Sequence, residues 1–248
     1  MEELEDTIHK IKESYYGKVT VEGLVNSALE GILKSLDEES RLLRQETPSL
    51  EFVRGLKEED SIPEVRFIQG EVGYIRIGFF GRRTAIDFKK ALVELRGMKA
   101  LILDLRDNPG GHLQSAQELL ENFVSEGKPL FTQVDRQGQR RYLSQGKEIL
   151  DLPTAILINS STASSAELVA ATLRYYHKGI IVGEKSHSKG TIQEVIPLSP
   201  QRTLLLTTGE YLLPDGSSLR NSGVIPDHTV RDKEAQIETA ISLLQNLH

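Results

Sequence analysis

The chain has 248 residues, 38% hydrophobic and 27% charged, enough for one large α/β domain or a core with a small appendage. A net charge of −6, 6% aromatics and no Trp argue against nucleic acid or an anionic membrane as the main partner. Because there is no Cys, disulfides, thiolate zinc sites and a cysteine nucleophile are excluded together. No apolar run approaches the ~18 residues of a membrane span.

The start, MEELEDTIHKIKESYYGK, is acidic and amphipathic, unlike a signal peptide. Leu4, Ile8 and Ile11, then Leu24, Val25, Ala28, Leu29, Ile32, Leu33 and Leu36, recur at helical spacing, with Gly17 and Thr20 between them. That pattern predicts an αα-hairpin, a helical arm over 1–41. Residues 42–64 are charged, carry Pro48 and Pro63 and hold no period, so they are expected to be a linker with one short helix around Ser49 to Leu56.

From 65 to 248 the texture is that of a core with a cap. VRFI and VGYIRIGFF alternate as half-buried strands do, and Thr84 opens an amphipathic helix. ALILDLR and AILIN read as buried strands, each followed by a turn and a helix, from about Gln114 to Val124 and over 164–176. A hairpin is expected around Gln137-Gly138. GIIVG gives another strand, RTLLLTTGEYLL one more before a turn at Asp215-Gly216, and the tail from Lys233 to Leu247 a helix. Strands alternating with helices predict an α/β fold: a twisted sheet core with a β-rich cap and an N-terminal helical arm.

Three segments carry candidate chemistry. In LILDLRDNPGGHL, Gly110 and Gly111 let the backbone bend and turn bare N–H groups toward a ligand at a helix start, where they could hold an oxyanion. The plain alternative is an ordinary strand-to-helix turn. In SSTASSAELVA, Ser164 and Glu167 have capping-box spacing, which places Ala166 second in the helix, beside its positive end. That is a good place for a nucleophile, and the residue there has no reactive atom. In GEKSHSKGTIQ, Lys189 sits between small residues with Gln193 beyond it. A lysine in a dry pocket can serve as a base, whereas a solvated lysine is the commoner case. A Ser-His-Asp arrangement would draw on His187 or His177 with Asp104 or Asp107, without a G-x-S-x-G elbow. No metal-binding pattern such as H-E-x-x-H occurs.

Taken in order, LILDLRDNPGG, ILINSSTASSAELVAATL, IIVGEKSHSKGTIQ and TTGEYLLPDGSSLRNSGVIPD resemble the carboxyl-terminal processing proteases, the tail-specific Ser-Lys peptidases, from about Val65 to Val230. The N-terminal hairpin ending in SLDEESR resembles that family's helical leader. The resemblance implies a serine endopeptidase that cleaves protein substrates near their C-termini, extracytoplasmic (periplasmic or secreted), without a cofactor. The apolar stripe of residues 4–36 is longer than one small hairpin can hide by itself, so the arm is expected to pack on the core or against a second copy in a homodimer. The resemblance assigns the base to Lys189, its helper to Gln193, and the oxyanion donors to backbone N–H groups near Gly110, Gly111 and Glu167. Two features depart from the family. Its nucleophilic serine directly precedes the glutamate, and that position is Ala166; its PDZ domain lies where this chain has only the linker. Among Ser160, Ser161, Ser164 and Ser165, none stands at the nucleophile position. Ser165 is nearest, but one helical step turns a side chain by ~100°. Ala166 is then either a replaced nucleophile in an active protease, or the mark of a natural pseudoprotease that binds peptides or acts as a scaffold. A third possibility is that the arm makes the protein chiefly an assembly module.

Overall fold

The computed structural model describes residues 2–44, 60–147, 150–199 and 201–246. The short helix expected around Ser49 to Leu56 lies outside the described residues. Two units divide the chain: a smaller one of residues 1–50 and 193–207, and a larger one of residues 51–192 and 208–248.

The larger unit is organised by a six-stranded sheet. Its strands are β2 (Glu64–Ile68), β3 (Val72–Arg76), β4 (Ala100–Asp104), β7 (Thr154–Ile158), β8 (Ile180–Gly183) and β11 (His228–Thr229). Their order is β11-β8-β7-β4-β3-β2, all neighbours parallel except the edge strand β2, which pairs antiparallel with β3. Parallel neighbours need crossovers, and helices α3 (Thr84–Glu94), α4 (Leu113–Leu120) and α5 (Ser165–Tyr175) lie in the connecting segments.

Both faces of this sheet are covered, which explains why ALIL of β4 and AILI of β7 are apolar in succession instead of alternating. Leu101, Leu103, Ile156 and Ile181 pack with Phe88, Leu95, Leu119 and Leu168 of the three helices. The intervening residues Ala100, Ile102, Ala155, Leu157 and Val182 face the C-terminal helix α6 (Lys233–Gln245) through Ala240, Ile241 and Leu244. Side-chain alternation along each strand thus sorts one apolar run into two cores.

The β-rich cap of this unit is the hairpin of β5 (Pro129–Asp135) and β6 (Gly138–Leu143), which turns through Arg136-Gln137, where a hairpin around Gln137-Gly138 was expected. β5 also pairs antiparallel with the last residues of β10 (Arg202–Leu212), Gly209 opposite Asp135. Phe131 stacks on Tyr142 at 4.5 Å between ring centroids and meets Tyr211 edge-on at 5.7 Å, so an aromatic cluster fastens the three strands.

The smaller unit holds the helical arm. Helix α1 (Glu2–Ser14) and helix α2 (Val21–Lys34) flank the expected break, and Thr20 caps α2 by accepting the Gly23 N–H at 3.0 Å. Residues 41–44, at the start of the expected linker, form instead strand β1 (Arg41–Arg44), antiparallel to the first part of β10 with Arg41 opposite Leu205. β10 also pairs with β9 (Thr191–Ser199), whose first two residues belong to the larger unit.

Candidate active site

Three loops leave the carboxyl ends of β4, β7 and β8 and converge. The loop after β4 is shaped by Asn108, a fully buried side chain. Its Nδ2 donates to Ile77 O at 2.8 Å, and its Oδ1 accepts the Gly110 N–H at 2.8 Å. Gly110 (φ +93°) and Gly111 (φ +137°) are in the region L side chains rarely adopt. Space excludes a side chain as well. A Cβ on Gly110 would stand 2.7 Å from Ser164 Cβ, and one on Gly111 would stand 2.1 Å from Phe80 O. The two glycines therefore let this loop close onto Phe80 and onto the turn that opens α5.

That turn is equally constrained. The Thr162 hydroxyl donates to Leu105 O at 2.9 Å, and the Ala163 N–H donates to Asn108 O at 2.9 Å, binding the second loop to the first. Ser164 holds φ +56° with ψ −124°, a strained conformation for a residue with a side chain. It forms the expected capping box with Glu167, whose Oε2 accepts the Ser164 N–H at 2.8 Å. Ala166 follows as the second helical residue and is fully buried.

The third loop is held by the same Glu167. Its carboxylate accepts the Ser186 hydroxyl, the Ser188 N–H at 2.8 Å and the Lys189 N–H at 2.9 Å. The His187 N–H donates to Thr162 O at 2.9 Å, tying the third loop to the second. Glu167 is fully buried, so one side chain sets the N-terminus of α5, with Ala166 on it, against the segment that carries Lys189. Lys189 itself is half-buried.

The expected residues are distributed as follows. Gly110, Gly111, Ala166, Glu167 and Lys189 belong to these three loops of the larger unit. Gln193 belongs to the smaller unit, where its Nε2 donates to Glu39 O at 3.1 Å. The Gly110 N–H is already donated to Asn108, whereas the Gly111 N–H has no acceptor among the described residues. Ser160 and Ser161 are exposed. Ser165 is buried, and its Oγ has no hydrogen-bond partner among the described residues, hence no base among them in contact with it.

The histidine alternatives are not assembled. Asp104 is fully buried, accepting from Arg106 Nε at 2.9 Å and from the Tyr74 hydroxyl at 2.6 Å. Asp107 pairs with Asn159 Nδ2 at 2.7 Å and Lys233 Nζ at 3.3 Å. The Asn159 contact first, together with Lys233 and Arg76, holds its carboxyl below the usual range against burial, which pushes it up. Neither carboxylate accepts from a histidine among the described residues, and His177 lies at the far end of α5, roughly 16 Å from Ala166 along the axis.

Asn108, Thr162 and Ser186 escaped sequence reasoning. Only Asn108 left a signal, an Asn two residues before a glycine, the spacing of a side chain that binds backbone two positions on. Glu167→Ala leaves four donors without their acceptor, a loss of about 3 kcal/mol or more. For a domain of this size that lowers Tm by roughly 6–12 °C. Scanning calorimetry checks it, and a fall of less than about 2 °C would show that the carboxylate does not hold the loops together.

The chain belongs to peptidase family S41, whose model matches residues 71–230. It is 34% identical to the carboxy-terminal processing protease CtpB of Bacillus subtilis (strain 168), over 67% of this chain and 36% of that protein. It is 35% identical to the carboxyl-terminal-processing protease of Synechocystis sp. (strain ATCC 27184 / PCC 6803 / Kazusa), over 64% of this chain and 38% of that one. The chain thus spans between a third and two fifths of the length of these relatives. Among solved structures, the photosystem II D1 C-terminal processing protease superposes with a TM-score of 0.63 at 27% identity, covering 75% of this chain and 52% of that one. No helix among the described residues is long and apolar enough to cross a membrane.

Proposed function

We propose that this chain carries the site of a serine endopeptidase that cleaves protein substrates near their C-termini by a Ser-Lys mechanism, and that it is inactive as it stands because Ala166 has no attacking oxygen. The observation that supports this reading is the Glu167 carboxylate, which fastens the helix start at Ala166 and the Lys189 backbone to one point. In the working site a serine at this position attacks the scissile carbonyl and neutral Lys189 takes its proton. The family pattern assigns the lysine's helper to Gln193. Of the expected oxyanion donors, Gly111 comes first because its N–H is unspent. Glu167 adds its N–H from the helix start once Ser164 releases it, and Gly110 contributes once Asn108 releases it. The setting is extracytoplasmic and no cofactor takes part.

The test is cleavage of an unfolded protein by the Ala166→Ser form, with fragments identified by mass spectrometry. Fragments trimmed at the C-terminus support the reading, and their absence rejects it. The full burial of Ala166 favours a second reading, a nucleophile-free relative that binds peptides without cutting them. That reading predicts micromolar binding of C-terminal peptides by the chain as it stands and no cleavage after Ala166→Ser.

The arm supports a homodimer. α1 buries none of its residues and α2 only Leu33, while Leu4, Tyr16, Val21, Ile32 and Leu36 remain exposed. Such an apolar stripe is costly to leave in water, and a second copy of the arm offers a matching one. Light scattering at micromolar concentration is expected to give twice the chain mass, and Ile32→Glu to lower it. A monomer whose arm resists proteolysis would rule the dimer out.

A further inference from the structure

Beyond Leu105, whose N–H donates to Leu157 O at 2.9 Å, the register of β4 with β7 ends and two separate loops begin. One carries Gly111 and the other leads to Ala166. The distance between an oxyanion donor and the attacking atom therefore depends on what joins the loops. Asn159, the first residue after β7, is a buried side chain that does so. Its Oδ1 accepts the Asp107 N–H at 2.9 Å, and its Nδ2 donates to Asp107 Oδ1 at 2.7 Å. The same Oδ1 accepts the Ser161 N–H at 3.2 Å, closing the turn two residues on. The mechanism above uses neither member of the pair.

Asp107 holds φ +60°, which Asp and Asn tolerate better than other residues with a side chain. Backbone of this kind persists where surrounding bonds over-determine it. The Asn159 amide supplies such bonds, matching the N–H and the carboxylate of Asp107 at once, and the bond to the carboxylate is charge-assisted. The other partners of that carboxylate contribute less. Lys233 Nζ at 3.3 Å and an Arg76 guanidinium nitrogen at 3.5 Å reach Oδ2 through side chains open to solvent, where ion pairs are screened.

We propose that Asn159 is a positioning residue for the reaction: paired with Asp107, it sets the glycine turn at Gly111 against the nucleophile position at 166. Asp107 precedes Asn108 directly, and Asn108 shapes that turn, so a shift of the pair passes into it along the chain. This role rests on the reading in which position 166 attacks and the Gly111 N–H receives the oxyanion.

The pair can be tested by exchanging its members. Asn159→Asp keeps an acceptor for the Asp107 and Ser161 N–H groups but sets a carboxylate oxygen where the donor stood, against Asp107 Oδ1. Adding Asp107→Asn restores one donor and one acceptor in exchanged positions, and asparagine tolerates the backbone angle. The Ala163 N–H donates to Asn108 O across the two loops, so its hydrogen exchange reports their separation. In the ¹⁵N-labelled chain as it stands, Asn159→Asp is expected to speed that exchange about tenfold, and the double exchange to return it. An unmoved Ala163 rate in Asn159→Asp overturns the proposal whatever the enzyme does. In the Ala166→Ser background, Asn159→Asp is expected to lower kcat about tenfold to a hundredfold with KM unchanged, the cost of displacing a reacting group by about 1 Å. The double exchange should recover most of that loss. A KM that rises with kcat unmoved, or a double exchange no better than Asn159→Asp alone, overturns it. If Asn159→Asp fails to fold, Asp107→Gly decides the matter, since it removes the carboxylate and admits the backbone angle. It should lower kcat about threefold to tenfold with KM unchanged, and an unmoved kcat overturns the proposal. Failure of the Ser-Lys reading shows itself separately, as an Ala166→Ser form that does not cut or that cuts without Lys189, and the exchange readout stands regardless.

Discussion

Ala166→Ser is expected to convert a chain without peptidase activity into one that cleaves unfolded protein, a gain on the order of 10⁴ to 10⁶-fold. The size follows from what is missing. A site that keeps its base and oxyanion donors but lacks the attacking atom retains only positioning and electrostatic help, and loses covalent catalysis. The substitution adds one oxygen at the second residue of α5, beside the free end of the helix dipole. A buried hydroxyl costs stability unless it finds a hydrogen-bond partner, and the lysine amine supplies one in this reading. Fragment yield against time measures the gain. If the chain as it stands already cuts, and Ser165→Ala abolishes the cutting, the nucleophile has been placed one residue too far along.

In that restored background Lys189→Arg is expected to erase the gain, a loss of at least about 10³-fold in kcat/KM. Guanidinium stays protonated at any pH a protein survives, so it cannot take the serine's proton. The bond from the backbone N–H at position 189 to Glu167 should survive the change, because it does not involve the side chain. For the same reason Lys189→Ala should fold with an unchanged far-UV spectrum and remain inactive. An active Lys189→Arg enzyme would point to His187, whose exposed ring is carried on the same loop.

What could be read from the sequence, and what could not, divides along the range of the interactions involved. ALILD, TAILI and IIVG were legible as buried strands because helices cover both faces of their sheet, leaving no polar period. The capping box at Ser164 and Glu167 was legible because its partners are three residues apart. The second task of Glu167 was not. Its bonds to Ser188 and Lys189 reach across 21 and 22 positions, and nothing local marks them. β1 was missed for the same reason: RLLR is too short for a period, and its partner in β10 begins at Arg202. The Asn108 contact to Gly110 is local, yet it reverses a simple inference, since the N–H that a glycine turn frees is here taken up again. The family pattern named Gln193, but only the fold shows that its Nε2 donates to Glu39 O, 154 positions away.

The central claim is that catalysis belongs to position 166 and depends on Lys189. Acylation by an activated ester, quenched and mapped by mass spectrometry, tests both parts at once. An acyl group is expected on the peptide spanning 155–173 of the Ala166→Ser form, located at position 166. None is expected in the chain as it stands, and none when Lys189→Arg is added. An acyl group on Ser164 or Ser165, or one at position 166 that forms equally well with arginine at 189, would contradict it.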